Sequence, residues 1–140
     1  HLNMITCAIA NEGKVMTPMV ISRIESVSGS TVKEYKPEVY ATLMTEEEAS
    51  YLTGLMKEVV ESGTGDFLTA ADYTSAGKTG SAEYGTSKGD SHAWFTGFAP
   101  AEDPKVSVTI IVEGAGSGGD YAVPIAKRLF DVYFEQYMSE

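Results

Sequence analysis

The residues best suited to chemistry stand together at Ser75-Ala76-Gly77-Lys78-Thr79-Gly80-Ser81-Ala82-Glu83. A lysine, hydroxyls and two glycines are packed into a run that otherwise reads as a strand, entered through Tyr73-Thr74 and left through Tyr84. Glycine inside a strand weakens it and marks a place where another backbone or a ligand comes close. A strand edge without side-chain bulk can hydrogen-bond an extended peptide through its own N–H and C=O groups. Lys78 and Thr79 add a positive charge and a hydroxyl, which suit a carboxylate. The physical reading is an anion-binding strand edge. The plainer alternative is a surface strand with an exposed lysine. A phosphate-binding loop is a third; it needs glycine five residues before Gly77, where Asp72 stands, and a helix after the lysine.

The elements around this run are legible from periodicity and capping. Leu2, Ile5, Ala8 and Ile9 have helical spacing, and Asn11-Glu12-Gly13 ends that helix with Gly13 as its cap. Val15 to Val27 is rich in β-formers, Ser28-Gly29-Ser30 is a turn, and Thr31 to Tyr35 pairs back as a hairpin closed by Pro37. Thr45 with Glu48 forms a capping box, followed by the apolar stripe Ala49, Leu52, Met56, Val59 and Val60 to a stop near Ser62-Gly63. Phe67 to Ala71 adds a short helical turn. Tyr73 to Tyr84 then connects through a polar loop, Gly85 to Ser91, to a second strand from Ala93 to Ala99. Val106, Val108, Ile110 and Val112 alternate with polar residues, as a strand with one buried face does, and Ile111 breaks the alternation. Gly114 to Asp120 reads as a flexible loop. A last helix starts near Ala122, with Pro124 in its first turn and the stripe Ala122, Ile125, Ala126, Leu129, Phe130, Tyr133 and Phe134. The expected fold class is α+β: a three-stranded antiparallel sheet with flanking helices, the last of them covering one face.

Further motifs flank the central run. Gly63-Thr64-Gly65 precedes it, and His92-Ala93-Trp94-Phe95-Thr96-Gly97-Phe98-Ala99-Pro100 and Asp103-Pro104-Lys105 follow. This order resembles the C-terminal part of the transpeptidase domain of class B penicillin-binding proteins, from about Ala8 to about Tyr137. There a G-T-G segment precedes K-T-G-T-A-E, and an H-A-W-F-x-G-F-A-P strand follows. Ser81 stands where the family usually has threonine.

The resemblance implies the C-terminal portion of the β-lactamase/transpeptidase-like fold. It also implies a role in cross-linking peptidoglycan stem peptides, with β-lactam antibiotics as ligands. Lys78 would supply positive potential to the substrate carboxylate and to the serine of an S-x-N element. Thr79 would donate its hydroxyl to that carboxylate, and Gly80 would keep the strand edge open. Ser81 would offer its N–H to an oxyanion hole and its C=O to the substrate amide. Trp94 and Phe95 read as packing residues, and His92 as structural.

The family's catalytic residues are not expected here. S-x-N is absent, because neither Asn3 nor Asn11 has serine two residues before it. Ser30-Thr31-Val32-Lys33 spells S-x-x-K, but in a turn between β-rich segments; the family places its serine at the start of a helix far upstream. Ser75 and Lys78 also match, but a strand puts residues three apart on opposite faces. Residues 1–140 are therefore expected to be a partial transpeptidase domain, cut at His1-Leu2-Asn3-Met4 and inactive alone. Its parent would be anchored upstream at the extracytoplasmic face of the bacterial membrane. A non-catalytic β-lactam sensor or wall-binding module of the same fold is the alternative, and a serine β-lactamase a weaker one.

Composition narrows the partners. The net charge is −10, from 20 acidic and 10 basic residues. That argues against nucleic acid or anionic lipid. Cys7 is the one cysteine, and His1 and His92 stand far apart. Neither a disulfide framework nor a metal site is expected, and no cofactor. If family helices that cover the sheet are missing, Ile111 and the stripe Leu52, Met56, Val59 and Val60 would lack part of their cover. The chain is then expected to self-associate, unless the helix from Thr45 to Glu61 folds over the open face.

Overall fold

A computed structural model describes residues 1–84 and 90–137. Strands β5 (Ala76–Glu83), β6 (Ser91–Ala99) and β7 (Val106–Val112) form an antiparallel sheet in the order β5-β6-β7. Lys78 pairs with Thr96, Thr79 with Phe95 and Gly80 with Trp94. On the far side of β6, Phe95 pairs with Ile110 and Thr96 with Thr109. The loop expected between β5 and β6 falls mostly outside the described residues.

Alternation along β6 gives the sheet two buried faces. Ala93, Phe95 and Ala99 join Ile110, Leu68 and Val60 on one face, under Val123, Ala126 and Phe130 of the first half of helix α3 (Val123–Tyr137). Phe95 and Phe130 are fully buried, and removing either aromatic side chain would cost about 3–5 kcal/mol. On the other face, Phe98 and Ala76 pack with Met56 of helix α2 (Glu46–Glu61) and with Ile9 and Ala10 of helix α1 (Leu2–Ala10).

Local signals placed the helices. Thr45 and Glu48 form the reciprocal capping box, with the Thr45 N–H donating to Glu48 Oε2 at 2.8 Å and the Glu48 N–H to Thr45 Oγ1 at 3.2 Å. Gly13, at φ +85°, lets the chain reverse after α1 and donates its N–H to the Ala8 carbonyl. Strands β2 (Arg23–Glu25) and β3 (Thr31–Glu34) make the expected hairpin, with Gly29 at φ +82° in the turn.

Two features depart from the expected organisation. Val15 lies in a separate short strand, β1 (Lys14–Met16), which pairs with β4 (Val39–Thr42) across the intervening hairpin. The segment read as a flexible loop instead contains a wide helical turn over Gly118–Ala122, capped by Ser117. The α2 stripe is covered in part, as expected: Met56 and Val60 are buried, Leu52 and Val59 are half-buried, and Ile111 is 45% exposed.

Candidate functional site

Strand β5 hydrogen-bonds to β6 on one side and to no other strand among the described residues. Its glycines serve different ends. A Cβ on Gly77 would lie 2.3 Å from the Phe95 ring, so this glycine makes room for the core beneath the strand and not for a ligand. A Cβ on Gly80 would meet the Trp94 Cβ at 3.3 Å. Side-chain bulk is thus kept off the strand where Lys78, Thr79 and Ser81 flank it.

The expected site residues divide between the two faces, as a pleated strand requires. Lys78 is exposed on the face of Trp94 and Thr96; its ammonium donates to the Thr79 carbonyl at 2.7 Å and makes no ion pair among the described residues. Thr79 and Ser81 point to the other face. The Thr79 hydroxyl hydrogen-bonds the Thr64 hydroxyl, and the Ser81 hydroxyl accepts from the Gly118 N–H at 3.3 Å. The edge therefore presents an ammonium, two hydroxyls and backbone groups, a set that can hold a carboxylate beside an extended peptide.

Two contributors carry no assigned role in the sequence reading. Thr64, fifteen positions before Thr79, sits against it. Gly118 lies so close to the sheet that a Cβ there would fall 2.4 Å from the Trp94 carbonyl and 2.5 Å from that of Gly80. The signal was present in both glycine-rich stretches, since glycine marks close backbone approach.

The remaining candidates are held elsewhere. The His92 Nδ1 accepts from the Gly114 N–H at 3.0 Å, and its ring stacks on Tyr84 at 4.2 Å. Phe95 is core, and Trp94 is half-buried beside Gly80. Ser30 lies in the β2–β3 turn with its N–H on Ser26 Oγ, while Lys33 extends over the Tyr35 ring at 4.3 Å. Ser75 is buried just before β5 with its hydroxyl unpartnered among the described residues, and Lys78 is exposed.

Two charged clusters brace the site from outside. Glu102 receives hydrogen bonds from Lys57 of α2 and from Thr74, just before β5. Lys57, and after it Thr74, hold the Glu102 carboxyl below its ordinary range. Tyr73 donates to Asp131 of α3 at 2.9 Å. Burial pushes the Tyr73 phenol up, and Asp131 adds to the shift. For Asp131, burial opposes ionisation, but Lys127 and Tyr73 outweigh it and lower its pKa. The two consecutive residues Tyr73 and Thr74, just before β5, are thus tied to α3 and, through Glu102, to α2.

Residues 2–131 match the family model for the penicillin binding protein transpeptidase domain. The chain is 32% identical to the peptidoglycan D,D-transpeptidase MrdA of Haemophilus influenzae, covering 96% of this chain and 23% of that protein. It is 35% identical to the peptidoglycan D,D-transpeptidase PbpA of Mycolicibacterium smegmatis, covering 88% of this chain and 26% of that one. The chain thus spans about a quarter of the length of these relatives. Among solved structures it resembles a D,D-transpeptidase domain from Eggerthella lenta, with a TM-score of 0.87 at 29% identity over 96% of this chain and 31% of that one. It also resembles penicillin-binding protein A of M. tuberculosis in a ceftriaxone acyl-enzyme complex, with a TM-score of 0.80 at 29% identity over 92% of this chain and 30% of that one.

Proposed function

The chain belongs to the penicillin-binding protein transpeptidase family, and on that premise we propose that residues 1–140 form the substrate-binding part of a peptidoglycan D,D-transpeptidase domain. The observation that carries this reading is the Lys78 ammonium, without an ion pair among the described residues, on an edge strand that also bears Thr79 and Ser81. A stem peptide or a β-lactam lies along β5. Lys78 supplies positive potential to its carboxylate, and Thr79 donates a hydrogen bond to it. Gly80 leaves the edge unobstructed. The Ser81 N–H stabilises the oxyanion as the acyl bond forms, and the Ser81 carbonyl accepts from the ligand amide. The nucleophilic serine and its lysine come from residues outside this chain, as does the S-x-N element. The protein works on the extracytoplasmic face of the bacterial membrane, where peptidoglycan is built.

The test uses the complete transpeptidase domain that contains this chain. Lys78→Ala and Thr79→Ala should each slow acylation by benzylpenicillin about a hundredfold, or roughly 3 kcal/mol. Ser81→Ala should cost less, because its proposed contacts are made by the backbone. Wild-type acylation rates in the Lys78 and Thr79 variants would remove the assignment.

The isolated chain also keeps apolar surface on Ile111, and on Leu2 and Ile5 of α1. This supports self-association of the isolated chain, which sedimentation over a concentration series measures. A single monomeric species throughout would reject it.

A further inference from the structure

We propose that Thr64 is a positioning residue that aims the Thr79 hydroxyl at the substrate carboxylate; the inference rests on the reading of β5 as the substrate strand. The Thr64 and Thr79 hydroxyls hydrogen-bond each other directly. A hydroxyl carries one proton and two acceptor lone pairs, and an ionised carboxylate only accepts. When a carboxylate sits at the β5 edge, the Thr79 proton must point to it. The Thr79 oxygen is then free to accept, and the Thr64 proton fills that place. The result is a directed chain from Thr64 through Thr79 to the ligand, in which each hydrogen bond polarises the next.

Thr64 is held where this requires it. The Gly65 N–H donates to the Val59 carbonyl at 2.9 Å, which hooks the segment onto the end of α2. A Cβ on Gly63 would lie 2.9 Å from the Val59 backbone, so the turn folds tightly against that helix end. From the other side, a Cβ on Gly119 would lie 2.7 Å from the Thr64 carbonyl. The Gly63-Thr64-Gly65 turn is thus clamped between α2 and the helical turn at Gly118–Ala122, and the side chain between its two glycines reaches β5. The glycines set the distance, and the threonine supplies the group.

The experiment compares acylation of the complete transpeptidase domain by benzylpenicillin and by its methyl ester, which lacks the anionic carboxylate. Thr64→Val keeps the shape and removes the hydroxyl. It should slow acylation by the acid about tenfold, the upper end of what one hydrogen bond between neutral groups is worth, and leave the ester rate unchanged. Thr64→Ser should restore the acid rate. Gly119→Ala, whose methyl presses on the Thr64 carbonyl, should give the same acid-selective loss with the hydroxyl present, and serves if Thr64→Val does not fold. Equal slowing with acid and ester, or no rescue by serine, would overturn the inference. A wild-type rate in Thr64→Val beside a slow Thr79→Val overturns it and leaves the substrate strand in place. Wild-type rates in both variants overturn the two readings together.

Discussion

The Thr6 hydroxyl of α1 and the Thr96 hydroxyl of β6 meet at 2.6 Å in a buried contact. Thr96 is also the cross-strand partner of Lys78, so the helix is pinned to the sheet beside the proposed ligand-binding cation. One proton assignment gives every hydroxyl an acceptor, with the Thr96–Val108 and Thr109–Asn3 contacts as its alternatives. Thr6 donates to the Leu2 carbonyl, Thr96 donates to Thr6, Thr109 donates to Thr96, and Ser107 donates to Asn3.

Thr6→Val removes an acceptor from that chain and leaves the Thr96 proton to find another. The loss should be about 1 kcal/mol, the net worth of one hydrogen bond, because the Thr96 hydroxyl can turn to the Val108 carbonyl at 3.4 Å. Thr6→Val with Thr96→Val should recover part of it, because both partners are then apolar. Urea unfolding midpoints measure both; an unchanged midpoint in the single variant contradicts the pinning role.

Gly77→Ala should destabilise by about 1–3 kcal/mol through overpacking, since the new methyl lands on the Phe95 ring. Phe95→Leu in the same chain should relieve part of the clash. If Gly77→Ala leaves the melting temperature unchanged, this glycine is not held by the core.

Acid should weaken the fold through carboxylates that bind protons less readily than they would unfolded. Thr45 lowers the Glu48 pKa through its N–H, Lys57 and Thr74 lower that of Glu102, and Lys127 and Tyr73 lower that of Asp131 against burial. Each folded pKa lies below its unfolded value. The stabilisation is complete above the ordinary carboxylate range near about 4 and is lost as pH falls through the lowered values. The melting temperature should therefore drop between about pH 5 and about pH 2, and Asp131→Asn should make the drop shallower. A melting temperature that holds across this window would contradict these assignments.

The isolated chain should form no covalent adduct with penicillin. Ser30 sits in an exposed turn, and Lys33 lies over Tyr35. Mass spectrometry after incubation checks this; an adduct lost on Ser30→Ala would make Ser30 a nucleophile.

The parts legible in the sequence were those fixed by neighbours in the chain. The Thr45–Glu48 box, the Gly29 turn and the alternation of Val106 to Val112 each lie within a few residues. The β1–β4 pair was not legible, because Val15 finds Ala41 across a hairpin that itself reads as the natural partner. Thr64 could be noticed in its glycine setting, but its contact with Thr79 depends on how α2 ends. Gly77 could be read as making room for a backbone or for a ligand, and only the placement of Phe95 shows that it serves the core. Gly118 looked like loop flexibility for the same reason: its neighbours, Trp94 and Gly80, are distant in sequence.

The most direct test of the central claim is a structure of the complete transpeptidase domain acylated by benzylpenicillin. The ligand carboxylate is expected within hydrogen-bond distance, about 2.5–3.0 Å for O–H···O, of Thr79 Oγ1. The acyl carbonyl oxygen is expected within about 2.7–3.2 Å of the Ser81 N–H nitrogen. A bound penicillin whose carboxylate lies away from Lys78 and Thr79, with no contact along β5, would contradict that claim.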